Sequence, residues 1–252
     1  MCKIVFVLLV ASVAAFPEQG RIAGGSLATL AQHPYTAAVL YAQNNVNFRQ
    51  TCGGAIINNR SILSATYCFI GNNIFPNNFR VRVGSINANS TGVLHNVAQM
   101  IAHPNYNSWN QDNNIGILRL STIITLGANV RPLAIAGPNY NLADYQHVWA
   151  IGWGRTTATS VTSEQLRQVE IMTVNQGRCQ DIYGVSFVTP NMLCAGWPTG
   201  GRGSCVADTG SPLLHNRVAV GVTSFTIGCG DANYPAIYSR VSRYTAWIQA
   251  NA

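Results

Sequence analysis

The sequence predicts an all-β protein. Short runs rich in β-branched and aromatic residues recur along the 252 residues, turn signals separate them, and no helical periodicity intervenes until the last stretch. Runs of this kind at such spacing favour antiparallel barrels or sandwiches. The length allows one large β unit or two small barrels, so no core held by disulfides alone is required.

The runs, in order, are TAAVLYA at 36–42, AIINN at 55–59, FRVRVGS at 79–85, HVWAIGW at 147–153 and RVAVGVTSF at 217–225. Residues 242–251 close the chain as an amphipathic helix, with Tyr244, Trp247 and Ile248 at helical spacing. No repeat, low-complexity tract or long linker is visible, and the crossing between two halves falls near 130–138.

At the N-terminus, Met1-Cys2-Lys3, an apolar run over 4–13 and Ala14-Ala15 read as a secretory signal over 1–15 with a small-residue cleavage site. That run is too short for a membrane span, and no later window is apolar over the roughly 20 residues one needs. A secreted, extracellular protein without a membrane span is therefore expected. Once Cys2 leaves with the signal, Cys52, Cys68, Cys179, Cys194, Cys205 and Cys229 remain. An even set in a secreted chain points to disulfides and leaves the pairing open. Zinc-type ligand spacings are absent, and no carboxylate lies between Glu18 and Asp112 to help hold calcium. Neither a metal nor a cofactor is expected.

The formal net charge of +7 comes almost wholly from arginine, because Lys3 is the only lysine. Guanidinium keeps its charge far above the pH at which an ammonium loses its proton, which suits a strongly alkaline fluid. The arginines are scattered singly, so nucleic acid is not an expected partner. Asn59-Arg60-Ser61 and Asn89-Ser90-Thr91 are glycosylation sequons. Asn89, in a polar loop, reads as the better placed of the two.

The octapeptide Cys205-Val206-Ala207-Asp208-Thr209-Gly210-Ser211-Pro212 resembles the nucleophile loop C-x-G-D-S-G-G-P of trypsin-like serine proteases. So do RIAGG at 21–25, CGG at 52–54, LSATYC at 63–68, NNIGIL at 113–118, GWG at 152–154 and NMLCAG at 191–196, all in the family's order. PNYNLAD at 138–144, SEQLR at 163–167 and VSRYTAWI at 241–248 resemble the gut trypsins of moths and butterflies. The resemblance implies a monomeric insect protein of the gut lumen, with two six-stranded antiparallel β-barrels and a C-terminal α-helix. The barrels would cover about 22–130 and about 131–252. It further implies an activation propeptide over 16–21, cleavage between Arg21 and Ile22, and disulfides Cys52–Cys68, Cys179–Cys194 and Cys205–Cys229. Asp208 would bind the new ammonium group of Ile22, an ion pair that is costly to break because it strands a buried charge.

Peptide hydrolysis on this plan needs a hydroxyl nucleophile, an imidazole to accept and return its proton, and a buried carboxylate to orient the imidazole. At those positions the sequence has Thr209, Tyr67 and Asn114. A phenol is a poor proton acceptor at neutral pH, an amide carries no charge to stabilise an imidazolium, and a β-branch crowds the attack by Thr209. Asp112 lies two residues from the carboxylate position, and His33, His95, His103, His147 and His215 are remote in sequence from Tyr67. Gly203 stands where a trypsin carries its pocket-floor aspartate, Thr226 and Ala236 replace pocket-wall glycines after Ser224, and Ala207 replaces the oxyanion-hole glycine. These changes together lead to the expectation of an inactive homologue that acts by binding a protein, an inhibitor or a polymer ligand. The alternatives are an endopeptidase with residual or altered activity through Thr209, and a storage or structural secreted protein.

Overall fold

Short runs of β-branched and apolar residues, most of them buried along nearly their whole length, organise most of the chain into strands. In this computed structural model residues 23–71 and 74–252 are described. The expected signal peptide, the propeptide, and Arg21 and Ile22 lie outside the described residues.

Chain order runs β1 (Ser26–Leu27), β2 (Thr36–Tyr41), β3 (Arg49–Ile56), β4 (Ser61–Ser64), β5 (Phe79–Val83), β6 (Val93–Ala102), β7 (Gly116–Leu120), β8 (Ala134–Ile135), β9 (His147–Gly152), β10 (Arg167–Val174), α1 (Gln176–Tyr183), β11 (Met192–Gly196), β12 (Pro212–His215), β13 (Val218–Phe225), β14 (Ala236–Arg240) and α2 (Thr245–Asn251). The first barrel closes in the order β2-β3-β4-β7-β6-β5. The second runs β10-β11-β14-β13-β12-β9 and is closed by the antiparallel pairing of β9 with β10. The expected fold, two six-stranded antiparallel barrels and a C-terminal helix, is thus the one observed. Closure leaves no barrel strand with an unpaired edge.

Phe79, Val81, Ile56, Ile62 and Leu118 fill the first barrel. The second barrel's Val148, Ile171, Leu213 and Tyr238 share one apolar cluster with Leu63, Ile115 and Ile117 of the first, so the two barrels meet over buried side chains. Helix α2 adds Ile248 to that cluster and reaches back to the first barrel, where Arg119 Nη2 donates to Asn251 O at 2.5 Å. Disulfides join Cys52 to Cys68, Cys179 to Cys194 and Cys205 to Cys229, the pairing that the resemblance implied.

One expected strand differs. The run AIINN at 55–59 is strand only to Ile56, because Asn58 Oδ1 accepts the Arg60 N–H at 2.8 Å and turns the chain into β4. A short polar side chain that bonds its own backbone two residues on favours a turn over a ladder.

Arginines are anchored in a consistent way. Arg60 Nε donates to Leu120 O at 3.0 Å, Arg131 Nε to Gly127 O at 3.3 Å, Arg155 Nη1 to Ala158 O at 3.2 Å and Arg240 Nε to Met192 O at 3.2 Å, while Arg82 bonds the carbonyls of Asn89 and Thr91. With so few carboxylates in the chain, main-chain carbonyls serve as their partners. Among the described residues no helix is long and apolar enough to cross a membrane.

Candidate active site

Between the barrels lies a cleft of about 420 Å³ whose lining includes Gln50, Tyr67, Gln111, Ala207, Thr209 and Ser224. Sequence-distant segments meet here because β3 enters the cleft at Gln50, β4 leads through a 3-10 turn (Thr66–Phe69) to Tyr67, and β13 ends at Phe225.

Tyr67 is 57% exposed, and its backbone N–H donates to Asn114 Oδ1 at 2.8 Å. Asn114 is fully buried, and its Nδ2 donates to Gln111 Oε1 at 3.1 Å and to Ser224 Oγ at 2.8 Å. The Asn114 amide therefore has its oxygen and both of its N–H groups engaged, as a buried amide must be to avoid the cost of an unmet polar group. Gln111 was missed in the sequence. Its backbone takes φ +58° and that of Asn113 φ +57°, a left-handed geometry that no chemical motif announces. The structure brings Tyr67, Asn114 and Thr209 to one place, as expected from their motifs.

Asp112 is not part of this constellation. Its Oδ1 accepts Thr189 Oγ1 at 2.7 Å and Asn191 Nδ2 at 3.3 Å, which commits it to the second barrel. None of the five histidines lines the cleft. His33 lies between Tyr35 Oη at 2.8 Å and Gln168 Oε1 at 2.5 Å, His95 bonds Thr122, and His103 stacks against Tyr244 and Trp247. His215 bonds Tyr140 Oη, and His147 Nδ1 approaches Glu170 Oε1 at 3.1 Å.

Thr209 Oγ1 donates to Ser224 O over a long 3.4 Å, while its carbonyl accepts the Gly53 N–H at 2.8 Å and fixes the loop on β3. Among the described residues neither the Ala207 N–H nor the Thr209 N–H has an acceptor. Ala207 adopts φ +73°, where a Cβ costs about 1–2 kcal/mol that glycine would not incur. Two bonds hold it there: Arg155 N–H donates to Val206 O at 2.8 Å, and the buried Gln50 donates through Nε2 to Ala207 O at 2.9 Å.

Behind the loop, Asp208 is buried, with Oδ1 accepting the Gly154 N–H at 2.7 Å and Oδ2 the Cys205 N–H at 2.9 Å. Burial pushes its pKa up to about 7 against the pull of those two donors. Gly154 is required beside it, since a Cβ there would fall 2.3 Å from the carboxylate. Its expected partner, Ile22, lies outside the described residues.

Gly203, Thr226 and Ala236 come together around a second, much smaller cavity of about 10 Å³. That volume admits roughly one water. Ser224 faces the main cleft, and Thr226 borders both. Asp231, also missed in the sequence, lines the small cavity while its Oδ1 accepts the Asn233 N–H at 2.7 Å. Gly203 is tied to the start of the described chain, its N–H donating to Ala23 O at 3.2 Å.

Comparison with known proteins agrees with this architecture. The model of the family described as Trypsin matches residues 22–248. Trypsin CFT-1 of Choristoneura fumiferana is 54% identical over 249 residues, covering 97% of this chain and 96% of that protein. Trypsin, alkaline C of Manduca sexta is 47% identical over 246 residues, covering 96% and 94%. Achelase-1 of Lonomia achelous is 45% identical over 238 residues, covering 92% and 100%. These similarities overturn the expectation that the chain is not an enzyme, since relatives this similar over nearly the whole length are named as trypsins. The changes at Tyr67, Asn114, Ala207 and Thr209 alter the local chemistry without establishing that activity is lost.

Proposed function

The chain belongs to the trypsin family of serine proteases, and on that premise we propose that it is a secreted endopeptidase of altered, slow activity in which the Thr209 hydroxyl attacks the scissile peptide carbonyl. One observation carries this reading: Thr209 lies in the cleft beside two N–H groups, of Ala207 and of Thr209 itself, that no described residue claims. Free donors at that point can hold the oxygen of a tetrahedral intermediate.

In the proposed reaction Thr209 Oγ1 forms a bond to the carbonyl carbon, and the carbonyl oxygen becomes an oxyanion bonded by the two N–H groups. The C–N bond then breaks, the amine leaves with a proton from water, and a second water releases the acid from Oγ1. With no imidazole in the cleft, solvent hydroxide takes the threonine proton. The rate therefore climbs by roughly tenfold per pH unit until another step limits it. Loss of a general base from a comparable hydrolase lowers turnover by on the order of 10⁶-fold, so the expected rate is far below that of a trypsin with its imidazole in place. The small cavity at Gly203, Thr226 and Ala236 leaves no room for a long cationic side chain, and selection falls to the main cleft at Phe225 and Thr226. Secretion is supported by the leader-like first residues and by the disulfides.

The test is hydrolysis of an unfolded protein substrate by purified chain cut after Arg21, from pH 8 to 11, beside Thr209→Ala. Slow cleavage that rises with pH and disappears in the variant is expected. Equal rates in both, or no cleavage in either, would overturn the proposal.

A further inference from the structure

Both sequons begin in loops between strands of the first barrel, Asn59 between β3 and β4 and Asn89 between β5 and β6, yet the fold treats their asparagines differently. Asn89 is a structural brace. Its Oδ1 accepts the Gln50 N–H at 2.9 Å, its Nδ2 donates to Glu164 Oε2 at 2.9 Å, and its N–H donates to Glu164 Oε1 at 3.1 Å. Gln50, held this way, is the residue that bonds Ala207 O in the cleft. The sequon hydroxyls do not separate the two sites: Thr91 Oγ1 lies 2.6 Å from Ser85 Oγ, and Ser61 is buried in β4.

Asn59 sits in the turn between β3 and β4, exposed, and its side-chain amide bonds no described residue. Its neighbours shape the turn instead: Asn58 Oδ1 accepts the Arg60 N–H, and Arg60 folds onto the carbonyls of Leu120 and Ser121. The turn lies at the end of β3 and β4 remote from the cleft, whose residues Gln50 and Tyr67 belong to the opposite ends. The Ile124 N–H donates to Asn59 O at 2.7 Å, and the adjoining Ile123 is 63% exposed. Sugar attached at Asn59 would cover that apolar side chain.

We infer that Asn59 carries an N-linked oligosaccharide and that Asn89 does not. In the transfer, Asn59 Nδ2 bonds to C1 of an oligosaccharide carried on a lipid diphosphate. The bond from C1 to the diphosphate oxygen breaks, the amide nitrogen loses one proton, and the lipid diphosphate departs. Transfer acts on the unfolded chain, so what the fold decides is which modified chain can become native. A glycan on Asn59 projects into solvent, whereas one on Asn89 would replace an N–H of an amide that braces Gln50 against Glu164. The inference depends on entry into the secretory pathway and not on hydrolysis, so it can fail while the proposed activity stands.

The experiment is peptide mapping by mass spectrometry of full-length chain expressed in insect cells, with and without a glycan-removing amidase that converts the linked asparagine to aspartate. Secreted protein should show conversion at Asn59 alone, and Asn59→Gln should be secreted carrying no glycan. Conversion at Asn89, an unmodified Asn59 in secreted protein, or retention of an unmodified chain in the cells would each overturn it. Asn89→Gln should keep the sugar at Asn59 and lower the unfolding temperature, which an Asn89 glycan would not predict.

Discussion

Raising the pH from about 4 to about 8 should weaken a chain kept uncut by Arg21→Gln, because Asp208 has to ionise in a buried site where its only described partners are two N–H groups. Its folded pKa lies above its unfolded one, so its contribution is fully present below the ordinary value of 3.8 and is lost as pH rises toward about 7. That gap corresponds to about 4 kcal/mol, a large share of the roughly 5–15 kcal/mol by which domains are stable. Three histidines act in the opposite sense. Burial lowers the pKa of His33, His95 and His103, so their contributions are lost as the pH falls and regained over the same rise. Asp208→Asn removes the carboxylate and leaves the histidines. The urea-derived free energy of the uncut parent minus that of Asp208→Asn should therefore fall by about 4 kcal/mol between pH 4 and pH 8. A difference that stays flat, or that rises, would refute the reasoning. Cutting after Arg21 should abolish the fall, if the Ile22 ammonium reaches Asp208 as the family resemblance implies.

Three other perturbations have definite outcomes. Ala207→Gly should raise stability by about 1 kcal/mol by relieving the left-handed alanine, seen as a higher urea midpoint at unchanged slope. Tyr67→His combined with Asn114→Asp should raise peptide hydrolysis by about 10²–10⁴-fold near neutral pH, measured on the substrate used for Thr209→Ala. Burial raises the pKa of Tyr35, Tyr183, Tyr238 and Tyr244. Their contributions are whole below about pH 10, where unfolded tyrosine begins to ionise, and are lost above it. Thermal melts should then be flat in this respect from pH 8 to 10 and fall beyond.

Most of the fold was legible because its strands are short runs of β-branched and apolar residues bounded by turn signals. TAAVLYA, FRVRVGS, HVWAIGW and RVAVGVTSF all became strands within two residues of their expected ends. RQVEIMTV, now β10, alternates strictly between buried and half-buried positions, unlike those runs, and was overlooked. AIINN failed because one asparagine side chain competes with the ladder at the hairpin tip. At the site, motif order was enough to bring Tyr67, Asn114 and Thr209 together. Gln111 escaped because its role comes from backbone conformation, and Gln50 because its bond to Ala207 spans 157 residues of sequence. The near-closure of the cavity at Gly203 and Ala236 depends on how two loops pack, which residue identities alone do not report.

Arginines tied to carbonyls have a further consequence in company with proteases that cut after arginine. To be cleaved, such a residue must give its side chain to another molecule's pocket and straighten the chain around it. Arg60, Arg82, Arg119, Arg131, Arg155 and Arg240 must first release a main-chain oxygen of their own fold. Each bond that holds a guanidinium against its own backbone thus also withholds it from a neighbouring protease. Cleavage at these residues should accordingly wait for local unfolding.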